Sequence, residues 1–316
     1  MKPSQTGAPA AATRRAQPGL WRTLGLLGPA LVAGVAYLDP GNVAANMTAG
    51  ARYGFLLVWV VILGNLIAWL VQYLSAKLGL VTGKSLPELL GTSIRGTWSR
   101  RFFWAQAELV AVATDIAEVI GGAIALELLF GLPLVVGGII TAAVSLGILA
   151  IHNRANIRIF EWVIVALIVV VSIGFASGIF LNPPTAGDVF GGLVPRITDT
   201  GSLLLTTSIL GATIMPHAIY AHSALTRDRF GVTADAPRLT QLVKATRVDV
   251  TVALVIAGGV NLAMLLIGAT TLSRMSGELT LDGIYHALST ALGPMIALFF
   301  ALRSEEHTSE LQSRLQ

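Results

Sequence analysis

Apolar stretches long enough to cross a lipid bilayer recur along this chain and set the first limit on its fold. A transmembrane helix needs about 20 predominantly apolar residues. Stretches of this kind occur at 55–80, 102–130, 133–151, 158–181, 248–271 and 283–302. Two more segments, 24–52 and 200–226, have the length but are broken in the middle. The composition agrees, with 54% hydrophobic and 12% charged residues and a mean hydropathy of +0.74.

The architecture predicted from these segments is an all-α integral membrane protein of about eight transmembrane helices. Only helical bundles and closed barrels satisfy every backbone polar group within lipid. The segments are apolar on all sides, are rich in Gly, and lack the alternation of ten-residue barrel strands. The break in the first segment carries Asp39, which argues against a removable signal peptide.

The charge distribution predicts the orientation of the chain in the membrane. The net charge is +4 and the sequence pI is near 9.7, which could suggest nucleic acid as a partner. The basic residues are instead concentrated in the loops of one side, and only Arg52, Arg196 and Arg274 fall on the other. Positive loops face the cytoplasm, so we predict a cytoplasmic N-terminus. Because the surplus charge reflects this orientation, we expect no nucleic acid as a partner. We also expect no obligate protein partner. Cysteine is absent, which excludes disulfides and thiolate metal sites.

The two broken segments resemble each other. "VAYLDPGNVAANMTAG" (35–50) and "LGATIMPHAIYAHSAL" (210–225) each place a proline at the break, and aligning Pro40 with Pro216 sets Asp39 opposite Met215. An odd number of helices separates them, so the second copy would lie inverted relative to the first. Paired interrupted helices in corresponding positions indicate a transporter binding site near the bilayer midplane.

This repeat gives a predicted layout of the whole chain. The predicted units are a disordered cytoplasmic tail (1–18), a first repeat of helices 1–5 (19–181), a turn-rich extracytoplasmic loop (182–200), a partial second repeat of helices 6–8 (201–302), and an unrelated charged tail (303–316). Residues 303–313, "RSEEHTSELQS", match the translation of a common sequencing adapter. We therefore expect that tail to be an artefact and the chain to be a fragment that is inactive in transport when alone.

The residues at the breaks suggest a cation site. Unwound backbone at bilayer depth must be buried in protein or line a cavity, and its free carbonyls need partners. Asp39 offers a carboxylate, Asn42 an amide oxygen and Met215 a thioether. Free carbonyls are expected near Ala36 and Ala212. A sulfur ligand among oxygens favours manganese, iron, cobalt, cadmium or zinc over magnesium or calcium. Methionine is more often a core residue, but an acid inside the membrane is functional by default.

Predicted helix 3 carries a stripe of acids. Glu108, Asp115 and Glu118 are spaced by seven and three residues, which places them on one helix face. Acids in an apolar helix must face protein or water. The stripe is either a structural polar network or a proton relay, and the closeness of like charges favours the relay.

Three motifs together resemble the Nramp family of proton-coupled importers of divalent transition metals. They are "DPGN" (39–42), "MPHAIYAHSAL" (215–225) and "ATDIAEVIGGAIAL" in helix 3, and the resemblance covers about 19–302. It implies a LeuT-like inverted-repeat bundle in a bacterial inner membrane, with helices 1 and 6 broken at Pro40-Gly41 and at Pro216. It also implies that Asp39, Asn42, Met215 and the carbonyls of Ala212 and, in some conformations, Ala36 bind the metal.

The resemblance extends to the proton chemistry. It implies that Asp39 is the first proton acceptor and that His217 belongs to the proton and gating network. A helix-capping role is the structural alternative for His217, and structural and gating roles are equally open for His222. Asp115 and Glu118 would begin an exit route for protons that pairs with arginines on a later helix, and this chain does not contain those arginines.

The predicted function is secondary active import of Mn²⁺ or Fe²⁺ coupled to protons, with no cofactor and no enzymatic activity. A sodium-coupled symporter of organic solutes with the same fold is an alternative, although Asp39 would repel the carboxylate of an anionic substrate. An intramembrane metalloenzyme is a third possibility. It is disfavoured because His217 and His222 are five residues apart, which turns them away from each other on a helix, unlike the four-residue spacing of zinc peptidases.

Overall fold

A computed structural model describes residues 28–152 apart from 36 and 38, residues 166, 169 and 172–233, and residues 235–274. All regular elements in these ranges are helices. In chain order they are α1 (Pro29–Val35), α2 (Pro40–Tyr53), α3 (Val58–Thr82), α4 (Leu86–Ser93), α5 (Thr97–Phe130), α6 (Leu134–His152), α7 (Ser172–Leu181), α8 (Ala186–Gly191), α9 (Thr200–Thr213), α10 (Pro216–Phe230) and α11 (Ala236–Thr271), followed by a 3₁₀ turn (Leu272–Arg274). The all-α membrane fold predicted from the sequence is confirmed.

Both predicted helix breaks are present, and they share one local geometry. Helix α2 begins at Pro40 and α10 begins at Pro216. The residue before each proline is extended, with φ −68° and ψ 162° at Asp39 and φ −82° and ψ 121° at Met215. Proline disfavours the helical conformation in the residue that precedes it, yet it starts a helix well because its missing N–H would have no partner there. The alignment of Asp39 with Met215 therefore has a physical basis.

Four segments of the described chain are long and apolar enough to span a membrane. They are α3, α5 up to Glu127, α9 with α10, and α11. Helices α6 and α7 contribute shorter apolar segments, Leu134–Leu146 and Ser172–Leu181. The predicted eighth span at 283–302 and the predicted tails at 1–18 and 303–316 lie outside the described residues.

Two features differ from the sequence prediction. Helix α11 begins at Ala236, before the predicted apolar stretch at 248–271, and a proline in its first turn suits a helix start. Helix α4, which connects α3 to α5, was not predicted. It begins with a capping box in which the Ser85 side chain accepts from the Glu88 N–H and the Glu88 side chain accepts from the Ser85 N–H. Gly83, in the left-handed conformation, ends α3 just before it.

Helix α11 lies at the centre of the bundle and packs against α1, α2 and α3. Glycines bring the backbones of α2 and α11 into contact. A Cβ added at Gly268 would lie 2.5 Å from the Met47 carbonyl oxygen, and one added at Gly50 would also meet the backbone of α11. Asp249 of α11 accepts hydrogen bonds from the N–H groups of Gly28 and Ala30. The site-bearing helices α1 and α2 are therefore both held by α11.

The predicted loop at 182–200 is more ordered than its turn-rich sequence suggested. It contains α8, and its Gly192 carbonyl accepts a hydrogen bond from the Trp59 N–H of α3. Asp199 caps α9 and accepts a hydrogen bond of 2.8 Å from the Tyr53 hydroxyl at the end of α2. The Ser202 backbone N–H and the Tyr53 hydroxyl hold the pKa of Asp199 below its ordinary value. The ends of α2 and α9 on this side of the bundle are thus joined.

Candidate metal-binding site at the paired helix breaks

Asp39 is the N-cap residue of α2, the half-helix that follows the first break. Its Oδ1 accepts from the Asn42 backbone N–H at 2.9 Å and from the Asn42 side-chain Nδ2 at 2.7 Å. Aspartate is among the preferred N-cap residues because its side chain accepts from the unpaired N–H groups of the first turn. Gly41 leaves the carboxylate room, since a Cβ added there would lie 2.9 Å from Asp39 Oδ2.

Asn42 connects the two breaks. Its Nδ2 donates to the Ala212 carbonyl oxygen at 2.8 Å, across 170 residues of sequence. The last carbonyls of a helix have no partner within that helix, and Ala212 lies in the last turn of α9. The Thr213 hydroxyl, which donates to the Ile209 carbonyl, is also 3.4 Å from Asn42 Oδ1. The amide of Asn42 is therefore held between α2 and α9.

The second break contributes Met215 to the candidate metal-binding residues. Met215 is buried and forms a small cluster with Ala218, against which Ala212 packs. Asp39 and Asn42 are buried as well. The structure thus joins Asp39 to Asn42 and Asn42 to Ala212 by hydrogen bonds, and Ala212 packs against the cluster formed by Met215 and Ala218, so four of the five predicted metal-binding positions are brought together. The fifth, the carbonyl of Ala36, lies outside the described residues.

The arrangement suits a cation. The Asp39 carboxylate and the Ala212 carbonyl both direct an oxygen at one nitrogen, at 2.7 and 2.8 Å, so the amide hydrogens of Asn42 occupy a point of negative potential. Flipping the Asn42 amide would place its Oδ1 where Nδ2 now lies. Oxygens of Asp39, Ala212 and Asn42 would then surround one position that a cation could occupy. The described residues hold no group of three or more His, Cys, Asp or Glu side chains that could bind a metal. A site here would combine one carboxylate with neutral oxygens and a sulfur.

A cavity of about 730 Å³ leads to the second break. At one end lie Pro87, Arg100 and Arg101, near the turn between α4 and α5. At the other end lie Pro216 and His217 of α10. The positive-inside prediction puts the first end at the cytoplasm, so the cavity would connect the cytoplasmic side with the helix break.

The three acids of α5 lie at different depths. Glu108 and Asp115 line the cavity, whereas Glu118 is buried at 3% exposure and does not line it. Glu118 is close enough to Asp115 and Asp39 for electrostatic interaction with both. The stripe that the spacing predicted therefore runs from the cavity towards the metal-binding candidates.

The two histidines of α10 have separate environments. His217 lines the cavity and is 5% exposed, and both of its ring nitrogens lack a hydrogen-bond partner among the described residues. His222 is buried, and its Nδ1 is 2.8 Å from Gln72 Oε1 of α3. The two histidines therefore do not share one site, which agrees with the sequence analysis, where their spacing of five residues turned them away from each other.

Comparison with known proteins identifies the family. The profile of the family described as natural resistance-associated macrophage protein-like, Nramp, matches residues 30–303. The chain belongs to the Nramp family. It is 54% identical over 277 residues to the divalent metal cation transporter MntH of Mycobacterium tuberculosis H37Rv, covering 88% of this chain and 64% of the relative. The corresponding protein of Deinococcus radiodurans is 42% identical over 291 residues, 90% of this chain and 65% of the relative.

Solved structures of Nramp proteins have the same fold. A crystal structure of the Eremococcus coleocola manganese transporter, in complex with an aromatic bis-isothiourea substituted compound, matches with a TM-score of 0.81 and 30% identity. The match covers 94% of this chain and 64% of that chain. The LeuT-like architecture expected from the resemblance is thereby confirmed. The chain spans slightly less than two thirds of the length of these first relatives.

Two buried polar residues near the candidate site were missed by sequence reasoning. Gln72 of α3 is buried between the Tyr37 hydroxyl, to which it donates at 2.8 Å, and His222. Asp249 is buried where it caps α1. Each is a lone polar side chain in an apolar span, and this is the signal that could have identified it, since such residues are costly in a membrane and usually have a specific partner.

Proposed function

We propose that this chain carries the substrate site of a secondary active transporter that imports divalent transition-metal ions, Mn²⁺ or Fe²⁺, together with protons. The ion would be bound by Asp39, Asn42, Met215 and the carbonyl of Ala212, with Ala36 joining in some conformations. The same ligands would accept Cd²⁺, Co²⁺ and Zn²⁺, because one sulfur among oxygens suits borderline metals. The names of the relatives, divalent metal cation transporters and a manganese transporter, support this proposal.

One observation carries the proposal. The Asn42 amide nitrogen lies between the Asp39 carboxylate and the Ala212 carbonyl at the meeting point of two helix breaks. Two oxygens from different half-helices converge there, and Ala212 packs against the cluster that contains Met215. Because the oxygens belong to separate half-helices, a relative movement of those half-helices would assemble or open the site, as alternating access requires.

The proton route would begin beside the metal. A carboxylate binds metal only in its ionised form, so protons and metal compete for Asp39. Glu118, Asp115 and Glu108 would take the proton from there along α5, and His217 would act in gating at the cavity. His222, bound to Gln72, would couple α10 to α3. The transporter would use the proton gradient and no nucleotide or cofactor.

The location follows from the same reasoning. The family and the apolar helices make this a multi-pass membrane protein. We place it in a bacterial inner membrane, with lipid on its apolar surface and the N-terminus in the cytoplasm, since the basic loops lie on that side.

Calorimetry of the purified chain in nanodiscs tests the proposal. We expect Mn²⁺ and Cd²⁺ to bind at pH 7 and to bind more weakly at pH 5, with no heat from Mg²⁺ or Na⁺. Sodium-dependent binding of an organic solute, without any heat from Mn²⁺ or Cd²⁺, would contradict the proposal and favour the symporter alternative.

A further inference from the structure

One groove of the molecule lies outside the metal site and combines aromatic with basic side chains. On its α3 side Trp69, Tyr73 and Lys77 follow one another at intervals of four residues, which aligns them on one face of the helix. Trp69 and Tyr73 are stacked, with ring centroids 5.8 Å apart and an interplanar angle of 13°. This side of the groove therefore places an aromatic pair next to an exposed ammonium group.

The α11 side of the groove carries a matching stripe. Lys244, Arg247 and Thr251 are spaced by three and four residues, again on one helix face. The Arg247 guanidinium lies over the Trp69 ring, 5.8 Å from its centroid. The Trp69 indole N–H donates to the Thr251 hydroxyl at 2.9 Å. Two contacts thus fix the stripes against each other.

The stripes run antiparallel, and this places all three cations at one end of the groove. Trp69 meets Thr251, while Asn65, one turn earlier in α3, meets Gly258 further along α11. At 1.5 Å per residue, Lys77 lies about 12 Å and Lys244 about 10.5 Å along the groove from the contact between Trp69 and Thr251. Helices in contact are about 8–10 Å apart, so both ammonium groups can reach one anionic group beside Arg247.

The charges of these cations are not compensated within the described part of the chain. Lys77, Lys244 and Arg247 are exposed there, and none of them forms an ion pair with a carboxylate. The acid nearest in sequence, Asp249, is buried on another face of α11, where it caps α1. The basic end of the groove therefore has a net positive charge that a ligand could neutralise.

The other end of the groove is apolar. Leu66 continues the α3 stripe with an exposure of 61%, and Val255 continues the α11 stripe with 65%. From one end to the other the groove thus presents exposed aliphatic side chains, an aromatic pair, and a cluster of three cations. This order matches the acyl chain, the interface and the headgroup of one lipid molecule.

We propose that this groove is a binding site for an anionic glycerophospholipid. Its phosphate lies among Lys77, Lys244 and Arg247, and an acyl chain lies along Leu66 and Val255. Basic pockets between transmembrane helices bind anionic headgroups on the cytoplasmic side, which is where the positive-inside prediction puts the start of α11. The lipid would hold α3 against α11. Its contact with Arg247 would lie two residues from Asp249, which caps α1.

Native mass spectrometry of the purified 316-residue chain, titrated with phosphatidylglycerol or with phosphatidylcholine, tests the proposal. We expect preferential binding of phosphatidylglycerol to the wild-type chain, and a loss of roughly five-fold in its affinity for Arg247→Gln, because one basic residue near an anionic lipid contributes about 1 kcal/mol. Arg238→Gln is the matched control, since it removes an exposed arginine from α11 outside the groove. It should retain the wild-type preference.

A second variant and a competitor keep the test decisive. Lys77→Gln changes an exposed side chain and should also lower the affinity about five-fold, whether or not Arg247→Gln folds. Equal binding of both lipids by the wild-type chain would overturn the proposal, and so would equal losses in the Lys77→Gln and Arg238→Gln variants. Displacement of the lipid by millimolar inorganic phosphate would also overturn it, because the recognised ligand would then be a free phosphate.

Discussion

The Asn42 side-chain nitrogen donates to the Ala212 carbonyl oxygen at 2.8 Å, although the two residues are 170 positions apart. The bond joins the start of α2 to the end of α9 at the point where each membrane-length segment is broken. Asn42 also contacts Asp39, and Ala212 packs against the cluster of Met215 and Ala218. A single amide is therefore the link between the two halves of the proposed metal site.

Replacing Asn42 with alanine should lower the affinity for Mn²⁺ by at least about ten-fold. The change removes a proposed oxygen ligand and the hydrogen bonds that hold Asp39 beside Ala212, and hydrogen bonds to charged groups contribute about 1.5–3 kcal/mol. Titration calorimetry on the purified variant measures the effect.

The matched control for this change is Asn46→Ala. Asn46 is the same residue type one turn further along α2, it is fully buried, and its amide has no partner among the described residues. It should bind Mn²⁺ like the wild-type chain. Equal losses in the two variants would show that Asn42 acts through the packing of α2 and not through the ion.

Met215→Leu should change the selectivity of the site more than its overall occupancy. Leucine keeps the volume of the side chain but removes the sulfur, which a soft ion prefers more than a hard one. We expect the affinity for Cd²⁺ to fall more than that for Mn²⁺. The ratio of the two dissociation constants is the measurement, with the buried Met47→Leu of α2 as control. An unchanged ratio would remove Met215 from the proposed ligands.

The breaks could be predicted from the sequence because they depend on local chemistry. A proline inside an apolar segment removes a backbone donor and disfavours helix in the residue before it, wherever the segment lies in the fold. Pro40 and Pro216 accordingly start helices, and the residues before them are extended. The periodic spacing of the acids of α5 was sufficient to place Glu108 and Asp115 on a common face for the same reason.

The partners of isolated polar residues could not be predicted. Gln72 binds His222 across 150 residues, and Asp249 binds Gly28 across 221. No local pattern specifies such pairs, because they depend on which helices become neighbours in the bundle. The turns of α11 before the apolar stretch at 248–271 were also not predicted, since apolarity marks the part of a helix inside the membrane and not the polar turns that extend beyond it.

Gly268→Ala should destabilise the contact between α2 and α11. The added Cβ would lie 2.5 Å from the Met47 carbonyl oxygen, and a backbone atom cannot move aside as a flexible side chain can. Overpacking of this kind costs about 1–3 kcal/mol. Thermal unfolding in detergent, followed by tryptophan fluorescence, should show a lower midpoint.

Gly259→Ala, in the same helix, is the control for that experiment. A Cβ added at Gly259 meets nothing within 4 Å among the described residues. The variant should be as stable as the wild-type chain or more stable by up to about 1 kcal/mol, because alanine favours helix over glycine. Equal destabilisation by both alanines would contradict the close packing described for Gly268.

The contact of α4 with α10 should depend on pH through Glu88. The Ser85 backbone N–H and the Arg227 guanidinium, 2.7 Å away, hold the pKa of Glu88 below its ordinary value of 4.5. Because the folded-state pKa is lowered, the stabilisation by Glu88 is complete above pH 4.5 and is lost as the pH falls through the folded-state pKa.

Glu88→Gln should therefore be less stable than the wild-type chain at pH 6 and equally stable near pH 3. Thermal unfolding across this range measures the difference. Glu127→Gln, which changes an exposed glutamate of α5 without a described ion pair, should unfold like the wild-type chain throughout. A deficit of Glu88→Gln that is independent of pH would contradict the assignment.

X-ray absorption at the cadmium edge of the one-to-one complex tests most directly whether both breaks bind the same ion. Asp39, Asn42 and Ala212 supply oxygen ligands and Met215 supplies sulfur. The spectrum of the wild-type chain should therefore show several oxygens and one sulfur around the metal, and the sulfur should be absent in Met215→Leu. A first shell of oxygen alone in the wild-type chain would contradict the account, because the second break would then contribute no side chain to the ion.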